Sequence, residues 1–298
     1  MTAPLKVLVT GCQGQLGQAL LASIPAGMEV LPLARAQLDL SDAVACRQAV
    51  LDHRPAWVLN AGAYTAVDRA ESEPDLALRV NAGAPEAFAQ ALADTGGSLL
   101  QISTDFVFDG QQGAPYRPDR QRSPLGVYGA TKAEGEERVE RALPPARACL
   151  LRTSWVYGPV GHNFCTTMLR LHRQRAAAGE ELGVIADQIG CPTATHTLAQ
   201  ACWRVIERRV TGLQHWSDAG AASWYDFAVA IGELAVRRGL LPAAARVRPI
   251  GTDEYPTPAR RPSYSLLECR ATRQALALPA QHWQTTLAEV LARVASGD

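Results

Sequence analysis

Leu5-Lys6-Val7-Leu8-Val9-Thr10-Gly11-Cys12-Gln13-Gly14-Gln15-Leu16-Gly17 decides the fold of this 298-residue chain. An apolar, β-rich run, Leu5 to Val9, passes into three glycines, and a helical stretch from Gln15 to Ser23 begins at once. Gly11, Gly14 and Gly17 allow a tight turn and close backbone approach, so that free amides at the helix start can face a pyrophosphate. The spacing is Gly-x-x-Gly-x-x-Gly rather than Gly-x-Gly-x-x-Gly, and 24 glycines are present in all. Taken alone, the turn fits a plain structural bend as well as a ligand cradle. Its surroundings give it weight.

Outward from that turn the rhythm repeats as far as Ser154. Further β-rich runs lie at Glu29 to Leu33, Trp57 to Leu59, Ser98 to Ser103 and Ala148 to Arg152. Helix candidates separate them: Asp42 to His53 behind Ser41 as N-cap, Pro74 to Asp94, and Tyr128 to Leu143. Alternation of this kind predicts an α/β protein with a doubly wound, Rossmann-like parallel sheet. After Gly158 helical stretches appear at Phe164 to Ala178, Thr197 to Arg209, Trp224 to Arg238 and His282 to Val294. Three β-like runs there, Leu182 to Ile185, Gly212 to Trp216 and Val247 to Ile250, either extend the sheet or form a small second layer. The expectation is a dinucleotide-binding domain over 1–158, joined by parts of 182–218. A smaller C-terminal α/β substrate lobe, 159–181 and 219–298, closes over the carboxyl edge of the sheet.

Composition narrows the partners. Lys plus Arg and Asp plus Glu both number 29, so the formal net charge is zero and no basic run offers the footprint of a nucleic-acid binder. No stretch approaches the roughly 18 apolar residues of a membrane span, and the first residues lack the pattern of a signal peptide. A cytoplasmic protein is expected. Seven scattered cysteines without a Cys-x-x-Cys pair, and six histidines without ligand spacing, argue against a disulfide framework or a protein-built metal site. Cys12 and Cys191 stand in loops near probable ligand paths and read as small fillers.

Two features bear chemistry. Tyr128 and Lys132 are four residues apart on a predicted helix, which sets a phenol beside an ammonium. A neighbouring cation lowers a phenol's pKa, making the pair a candidate general acid. Only two lysines occur, against many arginines, which favours a role that a guanidinium would not fill. The fourth strand ends Ser103-Thr104-Asp105 at the carboxyl edge, where Thr104 can hydrogen-bond a carbonyl oxygen and Asp105 can orient a sugar. The second strand ends Leu33-Ala34-Arg35, with no acidic residue for a ribose 2′-hydroxyl and with an Arg suited to a 2′-phosphate. NADPH is therefore expected before NADH.

The glycine turn, Thr104 and the Tyr128-x-x-x-Lys132 spacing together resemble the extended short-chain dehydrogenase/reductase superfamily. Asn60 to Asp68, Ala70 to Pro74, Ser103 to Asp109, Arg152 to Tyr157, Asp187 to Thr193 and Tyr255 to Pro262 are similar to the dTDP-4-dehydrorhamnose reductase family, over nearly the whole chain. The resemblance implies NAD(P)H-dependent reduction of the C4 ketone of dTDP-4-dehydro-β-L-rhamnose to dTDP-L-rhamnose. It implies that Tyr128 donates the proton, Lys132 lowers its pKa and holds the nicotinamide ribose, and Thr104 polarises the carbonyl. Gly14, Gln15, Leu16, Asp39, Leu40, Gly62, Ala63 and Tyr64 would line the cofactor, and Asp105 and Trp155 would touch the substrate. Arg260 and Arg261 are candidates for the nucleotide pyrophosphate, since a guanidinium fork suits phosphate oxygens, and equally fit a solvated basic loop. Some relatives bind Mg²⁺ through acidic residues at a dimer interface. Here the glycine turn carries neutral Gln15, which speaks against that site and leaves Mg²⁺ dependence and the choice of monomer or homodimer open.

Related folds carry competing chemistry. A sugar-nucleotide 4,6-dehydratase has an acidic residue after Thr-Asp, where this chain has Phe106. A 4-epimerase retains its nicotinamide, and a non-catalytic regulatory subunit of the same fold would keep cofactor without turnover.

Overall fold

The computed structural model describes residues 4–296. Its strands are β1 (Leu5–Thr10), β2 (Met28–Leu33), β3 (Trp57–Asn60), β4 (Ser98–Thr104), β5 (Ala148–Thr153), β6 (Val156–Tyr157), β7 (Leu182–Ile185), β8 (Ile189–Gly190), β9 (Thr193–Ala194), β10 (Gly212–His215), β11 (Ala222–Ser223) and β12 (Val247–Ile250). The helices are α1 (Gln15–Leu21), α2 (Ala43–His53), α3 (Val67–Ala70), α4 (Pro74–Leu78), α5 (Ala84–Thr95), α6 (Val127–Ala142), α7 (Phe164–Ala178), α8 (Thr195–Arg208), α9 (Trp224–Arg237), α10 (Arg270–Leu276) and α11 (Trp283–Ser296).

Six strands form one sheet in the order β10-β5-β4-β3-β1-β2, every pair parallel. Successive side chains of a strand point to opposite faces, so Val7 and Val9 pack with Leu59, Leu100 and Leu151 against α1 and α8. Leu8, Val58, Leu99 and Leu150 turn the other way, onto α2, α5 and Val139 of α6. Burial on both faces explains why these strands read as unbroken apolar runs. The sheet is the doubly wound, Rossmann-like arrangement that the alternation predicts. The chain leaves β1 toward β2 and returns across it to β3, which opens a crevice at the carboxyl ends of β1 and β3.

The later β-like runs divide between the two possibilities open to them. Gly212–His215 extends the main sheet beside β5, whereas β7 and β12 pair with each other. A third apolar cluster, including Met168, Phe227, Ile231, Leu287 and Val290, packs α7, α9 and α11 together.

Two local expectations need correction. The cap of α2 is Asp42, whose carboxylate accepts from the Ala45 amide at 3.0 Å, and not Ser41. A one-residue shift between two good capping types is below what propensity resolves. The predicted helix Pro74 to Asp94 contains a π-turn over Arg79–Gly83. Such wide turns often mark functional sites, and here it sets Asn81 against the backbone of Tyr64.

Candidate active site

The glycine turn lies at the crevice between β1 and β3. Gly11 has φ +63°, and a Cβ there would stand 2.7 Å from the Gly62 Cα; one on Gly17 would strike the Gly11 carbonyl. Both positions thus exclude a side chain, by conformation at Gly11 and by packing at Gly17. Gly14 caps α1 without a side-chain hydrogen bond, leaving the first-turn amides free to receive an anion. These residues border a cleft of about 590 Å³, lined also by Thr104, Asp105, Phe106, Tyr128, Lys132, Trp155 and Arg261. A second hollow of about 330 Å³ shares Gly11, Gly62 and Ala63 with it and is walled by Arg35, Asp39, Leu40 and Tyr64. A glycine-lined neck between two hollows fits a dinucleotide. The structure brings every cofactor-lining residue expected from the sequence into one or other of these walls.

Polar contacts fix the neck. Asn81 brackets Tyr64, accepting from its amide at 2.9 Å and donating to its carbonyl at 3.1 Å. The Tyr64 hydroxyl donates to Glu73 at 2.6 Å. Asp39 accepts from the Ser41 amide, which with the Arg35 charge holds its carboxyl below the usual range. The Gln15 amide oxygen accepts from Asn163, tying the turn to the start of α7.

At the other end of the cleft, α6 lies against the end of β4. Lys132 is 4% exposed and donates through Nζ to the Ile102 carbonyl at 2.7 Å. Burial brings its pKa down to about 8, with the charge of Glu136 opposing the fall. Tyr128, part-open to the cleft, packs the edge of its ring against Phe106 at 5.5 Å. Its phenol is pushed up to about 12, chiefly by burial and further by the Asp105 carboxylate, while the Thr104 hydroxyl opposes the rise. The expectation that Lys132 lowers this pKa is therefore reversed in the protein by itself. Desolvation dominates, and the ammonium is turned to a backbone carbonyl.

Beneath that pair lies a buried ionic group that sequence reasoning missed. Glu136 stands one turn beyond Lys132 on α6 and accepts from Arg152 through Nε at 2.9 Å and Nη2 at 2.7 Å. Arg122 Nε and the Ser103 hydroxyl donate to the same carboxylate. Burial works against its charge, but these donors carry the pKa below the usual value. The period of α6 could have found it, since 128, 132 and 136 fall on one face. His215, beside Arg152, is brought down to about 3 by burial and by that guanidinium, and is neutral.

Asp105 is 1% exposed, and burial lifts its carboxyl to about 6 although the Thr104 hydroxyl donates to it at 3.0 Å. Trp155 has φ +47°, a left-handed conformation that a bulky residue seldom adopts, and its ring stacks on Trp224. Arg261 reaches the cleft while making a two-pronged ion pair with Asp68, at 2.8 and 3.0 Å. Arg260 is exposed and outside the cleft lining. Cys12 and Cys191 are buried free thiols. Among the described residues no helix is long and apolar enough to cross a membrane, and no group of three His, Cys, Asp or Glu side chains is placed to hold a metal ion.

The comparisons with known proteins agree with this geometry. Residues 5–296 match the family model described as RmlD substrate binding domain. A dTDP-4-dehydrorhamnose reductase of Sinorhizobium fredii is 37% identical over 287 residues, covering 94% of each chain. Among solved structures, a dTDP-4-dehydrorhamnose reductase of Clostridium acetobutylicum superposes with a TM-score of 0.90 at 35% identity, covering 97% of this chain and 99% of that one. The enzyme of that name from Bacillus anthracis, solved in complex with NADP, gives the same score at 33% identity and the same coverage. With residues 5–296 matched by the family model and 94% of the chain covered by a relative at 37% identity, the chain belongs to the dTDP-4-dehydrorhamnose reductase family and is an oxidoreductase.

Proposed function

We propose that the protein reduces the C4 ketone of dTDP-4-dehydro-β-L-rhamnose to give dTDP-L-rhamnose, with Tyr128 as the proton donor. The observation that carries this reading is the convergence of Thr104, Tyr128 and Lys132 on the wall that the glycine turn also borders. The chemistry supplied by a bound reduced nicotinamide is delivery of a hydride to the carbonyl carbon. Gly11, Gly14, Gln15, Leu16 and Gly17 would hold the pyrophosphate, Asp39, Leu40, Gly62, Ala63 and Tyr64 the adenosine side, and Arg35 a 2′-phosphate. Preference for NADPH over NADH follows from Arg35.

Thr104 and Tyr128 place hydroxyl donors where negative charge develops on the C4 oxygen. With its pKa near 12 the phenol is fully protonated at neutral pH, and an alkoxide is more basic than its phenolate, so the proton moves from Tyr128 Oη to the substrate oxygen. Lys132, anchored on Ile102 and lining the same cleft as Tyr128, binds the nicotinamide ribose. Asp105 and Trp155 meet the sugar, and Arg261 meets the pyrophosphate of the nucleotide. Among the described residues, those up to 158 with parts of 182–218 form the cofactor side of the molecule, and 159–181 with those from 219 on the substrate side.

The direct test couples the protein to a 3,5-epimerase and a 4-keto-6-deoxy sugar nucleotide, with NADPH or NADH, and identifies the product by NMR. dTDP-L-rhamnose with stoichiometric cofactor oxidation is expected. The 4-epimeric, talose-configured product would overturn the substrate orientation. Tight cofactor binding without turnover would point instead to a regulatory subunit.

A further inference from the structure

Both flat faces of the Trp155 indole are occupied. On one side Trp224 stacks with ring centroids 3.5 Å apart and planes 5° from parallel. Trp224 is in turn packed against Phe164, at 4.6 Å, which continues through Phe227 into the core of α7, α9 and α11. On the other side lies Gly190. A Cβ built there would fall 2.5 Å from Trp155 Cε2 and 2.7 Å from both Cζ2 and Nε1. Because the recessed ring-fusion carbon is the nearest of the three, that Cβ would sit over the ring and not beside its edge. An indole at 3.5 Å leaves no space on the Trp224 face, so Gly190 abuts the opposite one.

The backbone around the slot is equally constrained. Trp155 is held at φ +47°, its carbonyl accepts from Thr193 at 3.1 Å, and the preceding Ser154 hydroxyl donates to the Cys191 carbonyl at 2.9 Å. Gly190 belongs to β8, which pairs with β11 immediately before Trp224. Thus the two walls of the slot are hydrogen-bonded to each other, and the ring between them is contacted on both faces. Trp155 and Trp224 both reach the cleft wall, on the side away from Arg35.

We infer that Gly190 and Trp224 are positioning residues that fix the Trp155 indole as one wall of the sugar subsite, and thereby set affinity for the 6-deoxyhexose part of the substrate. The inference rests on the proposed reading that Trp155 touches the substrate. Gly190 matters for what it lacks: any side chain would push the indole out of register. Trp224 matters for its flat face, which another aromatic ring can replace and an aliphatic chain cannot.

Steady-state kinetics of the coupled reaction with Trp155→Ala, Gly190→Ala, Trp224→Leu and Trp224→Phe separates the possibilities, with NADPH binding followed by nucleotide fluorescence in each variant. A displaced wall should raise the sugar-nucleotide KM about tenfold in Gly190→Ala and Trp224→Leu. In both, the KM for NADPH should stay within about twofold, and Trp224→Phe should return the sugar-nucleotide KM to within about threefold of the parent. A merely structural role would instead lower NADPH and sugar binding together, and Phe would not rescue selectively. If Trp155→Ala raises the sugar KM while Gly190→Ala and Trp224→Leu do not, the slot is refuted and the substrate contact of Trp155 stands. If Trp155→Ala leaves the sugar KM unchanged, the contact itself is wrong and the slot falls with it.

Discussion

Arg152 and Glu136 form a two-pronged ion pair, at 2.9 and 2.7 Å, with both side chains 1% exposed. It spans β5 and α6 below the functional row of Tyr128 and Lys132. Such a pair gains little over an apolar replacement of both partners, yet removing one partner strands the other charge. Glu136→Gln is expected to lower unfolding free energy in urea by about 3–5 kcal/mol. His215, beside Arg152, cannot supply a counter-charge, since an imidazole is never anionic at these pH values. A loss under about 1 kcal/mol would show that Arg152 finds another partner.

Asp105 links stability to pH in the opposite sense from a salt-bridged carboxylate. Its folded pKa, about 6, is above the ordinary value of 3.8, so the folded state holds more protons between those values and loses stability as pH rises through that window. Asp105→Asn removes the buried charge. Its Tm should exceed that of the parent at pH 8, by an amount worth about 3 kcal/mol, while the two should converge near pH 4. Activity should fall at the same time, as expected where a site keeps a destabilising group for function. Equal Tm differences at pH 4 and pH 8 would contradict the linkage.

Much of the fold was legible because both faces of the sheet are buried: β1, β3, β4 and β5 read as apolar runs bounded by turn residues, and each was found to within one or two residues. The helix α7 was found at both ends. Short pairings such as β8 with β11 escaped, since two residues carry no period. The Tyr128-Lys132 spacing and the glycine turn stood out because each needs particular residue types at fixed intervals. Glu136 did not, for its role depends on what the fold sets beside it. The sign of the Tyr128 shift was misjudged for the same reason. A neighbouring lysine is visible in the sequence, whereas desolvation by Phe106 and the surrounding wall is not.

Arg35 lines the smaller hollow with Asp39 and Leu40, where it can meet a 2′-phosphate. Arg35→Ala should lower the NADPH-over-NADH ratio of kcat/KM by about tenfold, mainly through KM for NADPH. An unchanged ratio in the two-cofactor comparison would remove Arg35 from cofactor selection.

Arg260 and Arg261 are adjacent in sequence but not in role. Arg261 reaches the cleft with its fork set by Asp68, whereas Arg260 is exposed. Substrate KM should rise at least about tenfold in Arg261→Ala and remain raised in Arg261→Lys, because an ammonium cannot replace the planar fork. Arg260→Ala should stay within about twofold of the parent. Equal effects at the two positions would assign pyrophosphate binding to general charge.

Tyr128→Phe tests the central claim most directly, since it removes one oxygen from the cleft and leaves the ring that packs on Phe106. NADPH affinity, read by fluorescence titration, should be within about twofold of the parent, while kcat in the coupled reaction falls by at least about a hundredfold. A near-normal kcat with intact NADPH binding would contradict Tyr128 as the proton donor.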